Sequence, residues 1–151
     1  MAYVNKQIRD NLKLILKDKI YYNASPLKIY IDHSSNIQPN QCPCISIFSD
    51  GFDNTENTLG NKYGFRTLNI TASILLKAST DIQDKLDDLC LQFEKELLKD
   101  KNTRTLNNLV KSVSIVNMNY DFEEQESNVA IAHYNLTIKY NVLQSDPSSF
   151  Y

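Results

Sequence analysis

Residues 65–78 alternate apolar and polar side chains more strictly than any other part of this 151-residue chain. Leu68, Ile70, Ala72, Ile74, Leu76 and Ala78 fall on one side, and Thr67, Asn69, Thr71, Ser73 and Lys77 on the other, with Leu75 the exception. A two-residue period is that of an extended strand, whose successive side chains point to opposite faces. One face therefore belongs to a core and the other is polar, the pattern of an antiparallel sheet covered on one side only. Such a strand needs neighbours beside it and an apolar layer above it.

The rest of the chain offers both. Val4, Ile8, Leu12, Ile15, Leu16 and Ile20 follow the 3.6-residue period and predict an amphipathic helix over residues 3–20. Thr80 at an N-cap with Gln83 three residues on reads as a capping box. It predicts a second helix to about Lys99 with Ile82, Leu86, Leu89, Cys90, Phe93 and Leu97 as its apolar stripe. Further strands are predicted at Leu27–Ile31, at Cys44–Ser49 after Pro43, at Val110–Tyr120 and at Val129–Val142. In the strand at 110–120, Val113 and Ile115 share one face and Val116 and Met118 the other. Ala130, Ala132, Tyr134, Leu136, Ile138, Tyr140 and Val142 share the core face of the last strand.

The order is α-β-β-β-α-β-β. Consecutive strands without helices between them imply hairpins rather than parallel crossovers. The expected architecture is an α+β two-layer sandwich, a mostly antiparallel sheet of about five strands with two helices packed on one face. Residues 1–143 are expected to form a single domain, and residues 144–151 a flexible C-terminal tail.

Composition limits function. Sixteen Lys and Arg oppose eighteen Asp and Glu, for a net charge of −2, so no broad cationic surface exists to wrap nucleic acid. No apolar run approaches the ~20 residues that span a bilayer. The first residues carry no hydrophobic leader, so a soluble protein made in a cytoplasm is expected. Three cysteines, Cys42, Cys44 and Cys90, are an odd count and point to free thiols.

Chemistry-bearing patterns are sparse. His33 heads a polar loop, and His133 lies in the last strand on the face opposite its apolar set. No Gly-x-Ser-x-Gly elbow, His-Glu-x-x-His or Cys-x-x-Cys pair occurs. Asp84, Asp87 and Asp88 read as a solvated helix face. No enzyme activity, metal or cofactor is expected. All three glycines, Gly51, Gly60 and Gly64, fall in the loop at residues 50–64, which predicts a bent segment. Residues 121–128 form an acidic connection.

Several local patterns carry a resemblance. The initial helix leads into Pro26-Leu27-Lys28-Ile29-Tyr30-Ile31 and then Cys42-Pro43-Cys44-Ile45-Ser46-Ile47-Phe48. Tyr63-Gly64-Phe65-Arg66-Thr67-Leu68-Asn69-Ile70 opens the long strand. The second helix has a Leu86-Asp87-Asp88-Leu89-Cys90 centre, and Val129 to Tyr140 closes the layout. Over roughly residues 3–142 this resembles the tail terminator (tail completion) proteins of tailed phages, of the minor tail protein U type. The resemblance implies a non-enzymatic virion protein forming a ring, hexameric in that family. The ring caps the head-proximal end of the tail tube, stops its polymerisation and offers a surface for neck or head attachment. The implied partners are further copies of the chain, the major tail tube protein and a neck or head completion protein. DNA only passes through the lumen, and no membrane is involved. A neck or head–tail connector ring, or a small adaptor domain, are the alternatives. On the terminator reading, Asp50, Phe52, Asp53, Glu56, Lys62, Tyr63 and Arg66 contact a neighbouring subunit or the tube. Glu123, Glu124 and Glu126 of the acidic connection join them. Arg66 is the leading expectation, because a guanidinium beside glycine-rich backbone can pair bidentately with a neighbour's carboxylate.

Overall fold

The computed structural model describes residues 3–54, 63–77, 79–122, 129–143 and 146–150. Helix α1 (Val4–Leu16) leads to a small ribbon of β1 (Tyr21–Tyr22) and β2 (Ser25–Pro26). Then come β3 (Lys28–Tyr30), β4 (Cys44–Asn54), β5 (Tyr63–Lys77), α2 (Ile82–Leu97) and the short α3 (Lys101–Arg104). The chain finishes with β6 (Ser112–Asp121), β7 (Val129–Leu143) and β8 (Asp146–Phe150). The main sheet has the order β3-β4-β5-β7-β6, and β8 pairs with β7. The result is the α+β architecture expected, with a mostly antiparallel sheet.

Periodicity accounts for the helix-covered face. Leu68, Ile70, Ala72, Ile74 and Leu76 of β5 are buried, as are all seven apolar residues of β7 on the same side. Above them lie Val4, Ile8, Leu12 and Leu16 of α1 and Leu86, Leu89, Cys90, Phe93 and Leu97 of α2. Phe93 meets Tyr134 with ring centroids 4.6 Å apart. The two core tyrosines keep their hydroxyls satisfied, as buried tyrosines must. Tyr134 donates to Glu94 Oε2 at 2.7 Å and Tyr140 to Asn5 Oδ1 at 2.8 Å.

β5 and β7 pair without interruption from Tyr63↔Leu143 to Lys77↔Val129. Fifteen residues per strand make this central ladder about 50 Å long, at ~3.3 Å per residue. The connection after β4 leaves at one end of the ladder, where Asn54 pairs with Arg66. The connection between β6 and β7 leaves at the other, where Val129 pairs with Lys77.

Four expectations change. β3 and β4 run parallel, Lys28↔Cys44 to Tyr30↔Ser46, rather than forming a hairpin. Residues 31–43 return the chain to the starting end through two 3-10 turns, Ser34–Asn36 and Pro39–Gln41, without a crossover helix. The capping box at Thr80 and Gln83 does not form. Asp81 is the N-cap and adopts left-handed φ/ψ of 58° and 33°, which leaves no side chain to bond the first-turn N–H groups. An N-cap oxygen reaches those groups from extended backbone. Helix α3 instead carries a box, with Asp100 accepting from Thr103 N at 2.9 Å. In β6 a bulge at Val116 shifts register between Ile115 and Asn117. Met118 and Tyr120 therefore join Val113 and Ile115 against the core while Val116 is exposed, because one extra residue reverses the alternation. Finally, residues 146–150 are not a free tail. β8 pairs through Val142↔Phe150 and Leu143↔Asp146, and Gln7 Nε2 of α1 donates to Ser148 O at 2.8 Å. β5 occupies one side of β7 throughout, so β8 continues the lane that β6 leaves open. The unpaired N–H and C=O groups of β7 there are satisfied by the chain's own end.

Candidate functional site

The sheet's second face is not uniformly polar. Residues 31–43, obliged by the parallel pairing to cross it, lay Ile37 over Cys44, Leu75 and Val129, with Tyr30, Cys42 and Ile131 packed around them. Leu75, the exception to the alternation, is a member of this second apolar cluster. The same crossing walls off a cleft of about 530 Å³ lined by His33, Ser46, Phe48, Ser73, Asp121 and His133, among others.

Both histidines of the chain thus reach one cleft from different elements. His33 packs edge-on against Phe48, ring centroids 4.9 Å apart, and its Nδ1 accepts from Ser35 N at 3.1 Å. His133 Nδ1 lies 2.7 Å from Ser73 Oγ, its partner across the β5–β7 ladder. Burial lowers the His133 pKa below the usual imidazole value; Asp121 opposes that shift and His33 adds to it. His133 is therefore neutral near pH 7, with Ser73 holding one ring nitrogen. Ser73 is 1% exposed, so its hydroxyl is spent on the imidazole inside the sheet rather than offered to a substrate. Among the described residues no group of three or more His, Cys, Asp or Glu is placed to hold a metal ion.

The thiols are free: Cys44 and Cys90 are buried and Cys42 is half-buried. A hydrogen bond from Cys44 lowers the Cys42 pKa, with Lys77 assisting, and the same bond together with burial raises that of Cys44. Burial also raises Cys90.

Those predicted contact residues that are described, Asp50, Phe52, Asp53, Tyr63 and Arg66, gather at the β4–β5 end of the sheet but divide between its faces. A bulge between Ser49 and Gly51, where Gly51 takes φ +119°, leaves Asp50 beside Thr71, whose Oγ1 donates to Asp50 Oδ2 at 2.7 Å. Asp53 is exposed opposite Thr67, on the same face as Asp50. Beyond the bulge Phe52 turns toward the core and sits opposite Leu68. Arg66 lies on that side too. Its guanidinium is 4.2 Å from the Phe52 ring centroid, and Nη1 donates to Tyr3 Oη at 3.4 Å. The structure gives Arg66 partners inside its own chain, where the resemblance implied a contact with a neighbouring copy. Its charge also restrains the rise that burial causes at Tyr140, which is pushed up to about 12. Tyr63 begins β5 opposite Leu143. Glu56, Lys62, Glu123, Glu124 and Glu126 lie outside the described residues.

Sequence reasoning places His133 on the polar face but does not bring His33 to it. The signals were Leu75, an apolar residue on the polar side of the longest strand, and Val129 and Ile131 on the polar side of the last one. Together they marked a covered patch. Among the described residues no helix is long and apolar enough to cross a membrane. The chain matches no protein-family model, and a search of curated proteins finds no match.

Proposed function

We propose that this chain is a structural virion protein that forms a ring on the head-proximal end of a phage or phage-like tail tube. There it ends tube growth and presents a surface to the neck or head. The observation that carries the reading is the separation of the two connections at the ends of the sheet. A cap needs one surface for the tube and a different one for the neck or head. The connection that follows β4, whose closing residues include Asp50, Phe52 and Asp53, leaves one end of the ~50 Å ladder, and the connection after β6, which ends at Asp121, leaves the other. The helices α1 and α2 and the strands β3 to β7 follow one another in the order on which the family resemblance rests, with the β1–β2 ribbon, α3 and β8 added to it. A closed ring uses two unlike patches per subunit, and an elongated subunit with unlike ends is suited to that. A net charge of −2 suits a lumen through which DNA passes without being held.

Electron microscopy of particles lacking this protein tests the proposal. Overlong tubes are the expected result. Tails of normal length detached from heads would assign the chain to a connector ring instead. Purified protein added to tail tubes is expected to decorate one tip only. Protein that leaves the tips bare would overturn the proposal.

A further inference from the structure

We infer that neighbouring copies of this chain join head to tail, the outer face of α1 on one subunit meeting the outer face of α2 on the next. This inference rests on the ring reading and names the contact that would close the ring.

The two helices share a layer but carry opposite charge. In α1 the burial of Val4, Ile8, Leu12 and Leu16 leaves Lys6 and Leu14 exposed and Lys13 partly exposed, and Lys17 at the C-cap is exposed as well. Residues 4–19 hold five cations against two carboxylates, and one of those carboxylates, Asp10, is already paired with Lys6 at 2.7 Å. In α2 the burial of Leu86, Leu89, Cys90, Phe93 and Leu97 turns Asp84, Asp87, Asp88 and Leu91 outward. Residues 81–97 hold six carboxylates against two lysines. Each charged face also shows one large apolar side chain, Leu14 at 65% and Leu91 at 53% exposure. An apolar contact ringed by polar groups is the usual anatomy of a protein interface.

The helices touch within the subunit, yet Lys6–Asp10 is the only ion pair between described residues. The opposite charges of the two helices do not neutralise each other internally. Neighbours on either side supply the complements one at a time, the acidic α2 of one copy to the basic α1 and the basic α1 of another to the acidic α2, while like-charged pairings repel. Complementary fields of this kind set register and exclude wrong pairings. Because the two patches differ, the contact is heterologous and propagates until it closes.

Two variants test the contact. Lys6, Lys13 and Lys17 are changed to Glu in one. In the other Asp84 and Asp88 are changed to Lys, with Asp87 kept because it accepts the Tyr120 hydroxyl. Circular dichroism checks that both fold. Mass by light scattering, in solution and on tube tips, is the readout. Each variant alone is expected to lose the ring at concentrations where the wild type assembles. An equimolar mixture is expected to regain it, because reversed α1 then meets reversed α2. Added salt is expected to weaken wild-type assembly, screening charges over about 8 Å at physiological strength. Single variants that still form rings, or a mixture that stays dispersed or stops at a dimer, would overturn the α1–α2 contact while leaving the ring reading intact. A wild-type chain that forms no ring in solution or on tubes would overturn both.

Discussion

The two faces of the sheet are built by different means. The face under α1 and α2 is one continuous apolar surface in which each buried side chain follows the period of its own element. The opposite face is covered only in part, by the non-repetitive segment 31–43, and the cover ends at a polar cleft. A large core tolerates no hollow, whereas a small satellite cluster beside solvent can collapse or admit water. The first face should therefore dominate stability and the second should respond to solution conditions.

The sharpest test of that contrast is Phe93→Ala. Phe93 is fully buried against Tyr134, and truncation there is expected to cost about 3–5 kcal/mol. Denaturant titration measures it. Leu75→Ala, one strand position from Ile74 but on the other face, is expected to cost about 2 kcal/mol, the lower end for buried leucine. If Leu75→Ala cost as much as Phe93→Ala, the second cluster would have to be counted as core.

The same contrast explains what was legible beforehand. The buried positions of α1, β5, α2 and β7 repeat with a fixed period, and each repeat reinforces the last. The second face has no such period. Its cover depends on β3 pairing parallel to β4, a long-range choice made by side chains far apart in sequence. Two bulges hid further detail. Phe52 and Met118 each change sides because one residue, Asp50 or Val116, is inserted without a partner opposite it. Alternation cannot reveal an insertion of that kind, since its evidence is the very phase that is lost. The end of the chain misled for another reason. Asp146, Pro147, Ser148 and Ser149 have the composition of a tail, yet the segment from Asp146 to Phe150 pairs with an open stretch of β7.

A pH titration probes the cleft side of the comparison. Burial lowers the folded-state pKa of His133, with His33 in the same direction and Asp121 against. The unfolded chain then takes up its proton first as pH falls through the ordinary value of 6.5. Stability from the neutral ring is complete above that value and declines toward the lower folded pKa, below which it stops falling. The melting temperature of the wild type is expected to drop on moving from pH 8 to about pH 5 by more than that of His133→Gln. His33→Gln serves as a control for the second imidazole of the cleft. Parallel curves for wild type and His133→Gln would remove His133 from the account.

The smallest effect belongs at the margin of the helix-covered face, where Arg66 closes the end of the core. Its guanidinium over Phe52 is half-exposed, and a cation over an aromatic ring in that setting contributes about 0.5–1 kcal/mol. Arg66→Met keeps the aliphatic stem and removes the charge, so a loss of that size is expected, about 1–4 °C in melting temperature for a chain of this length. If the chain caps tail tubes as proposed, assembly on tube ends should stay within twofold of wild type, because the charge is used inside the chain itself. A variant of unchanged melting temperature that no longer caps tubes would return Arg66 to the interface. The fold would then have to present this end of the helix-covered face, and not only its outer helices, to a neighbouring copy.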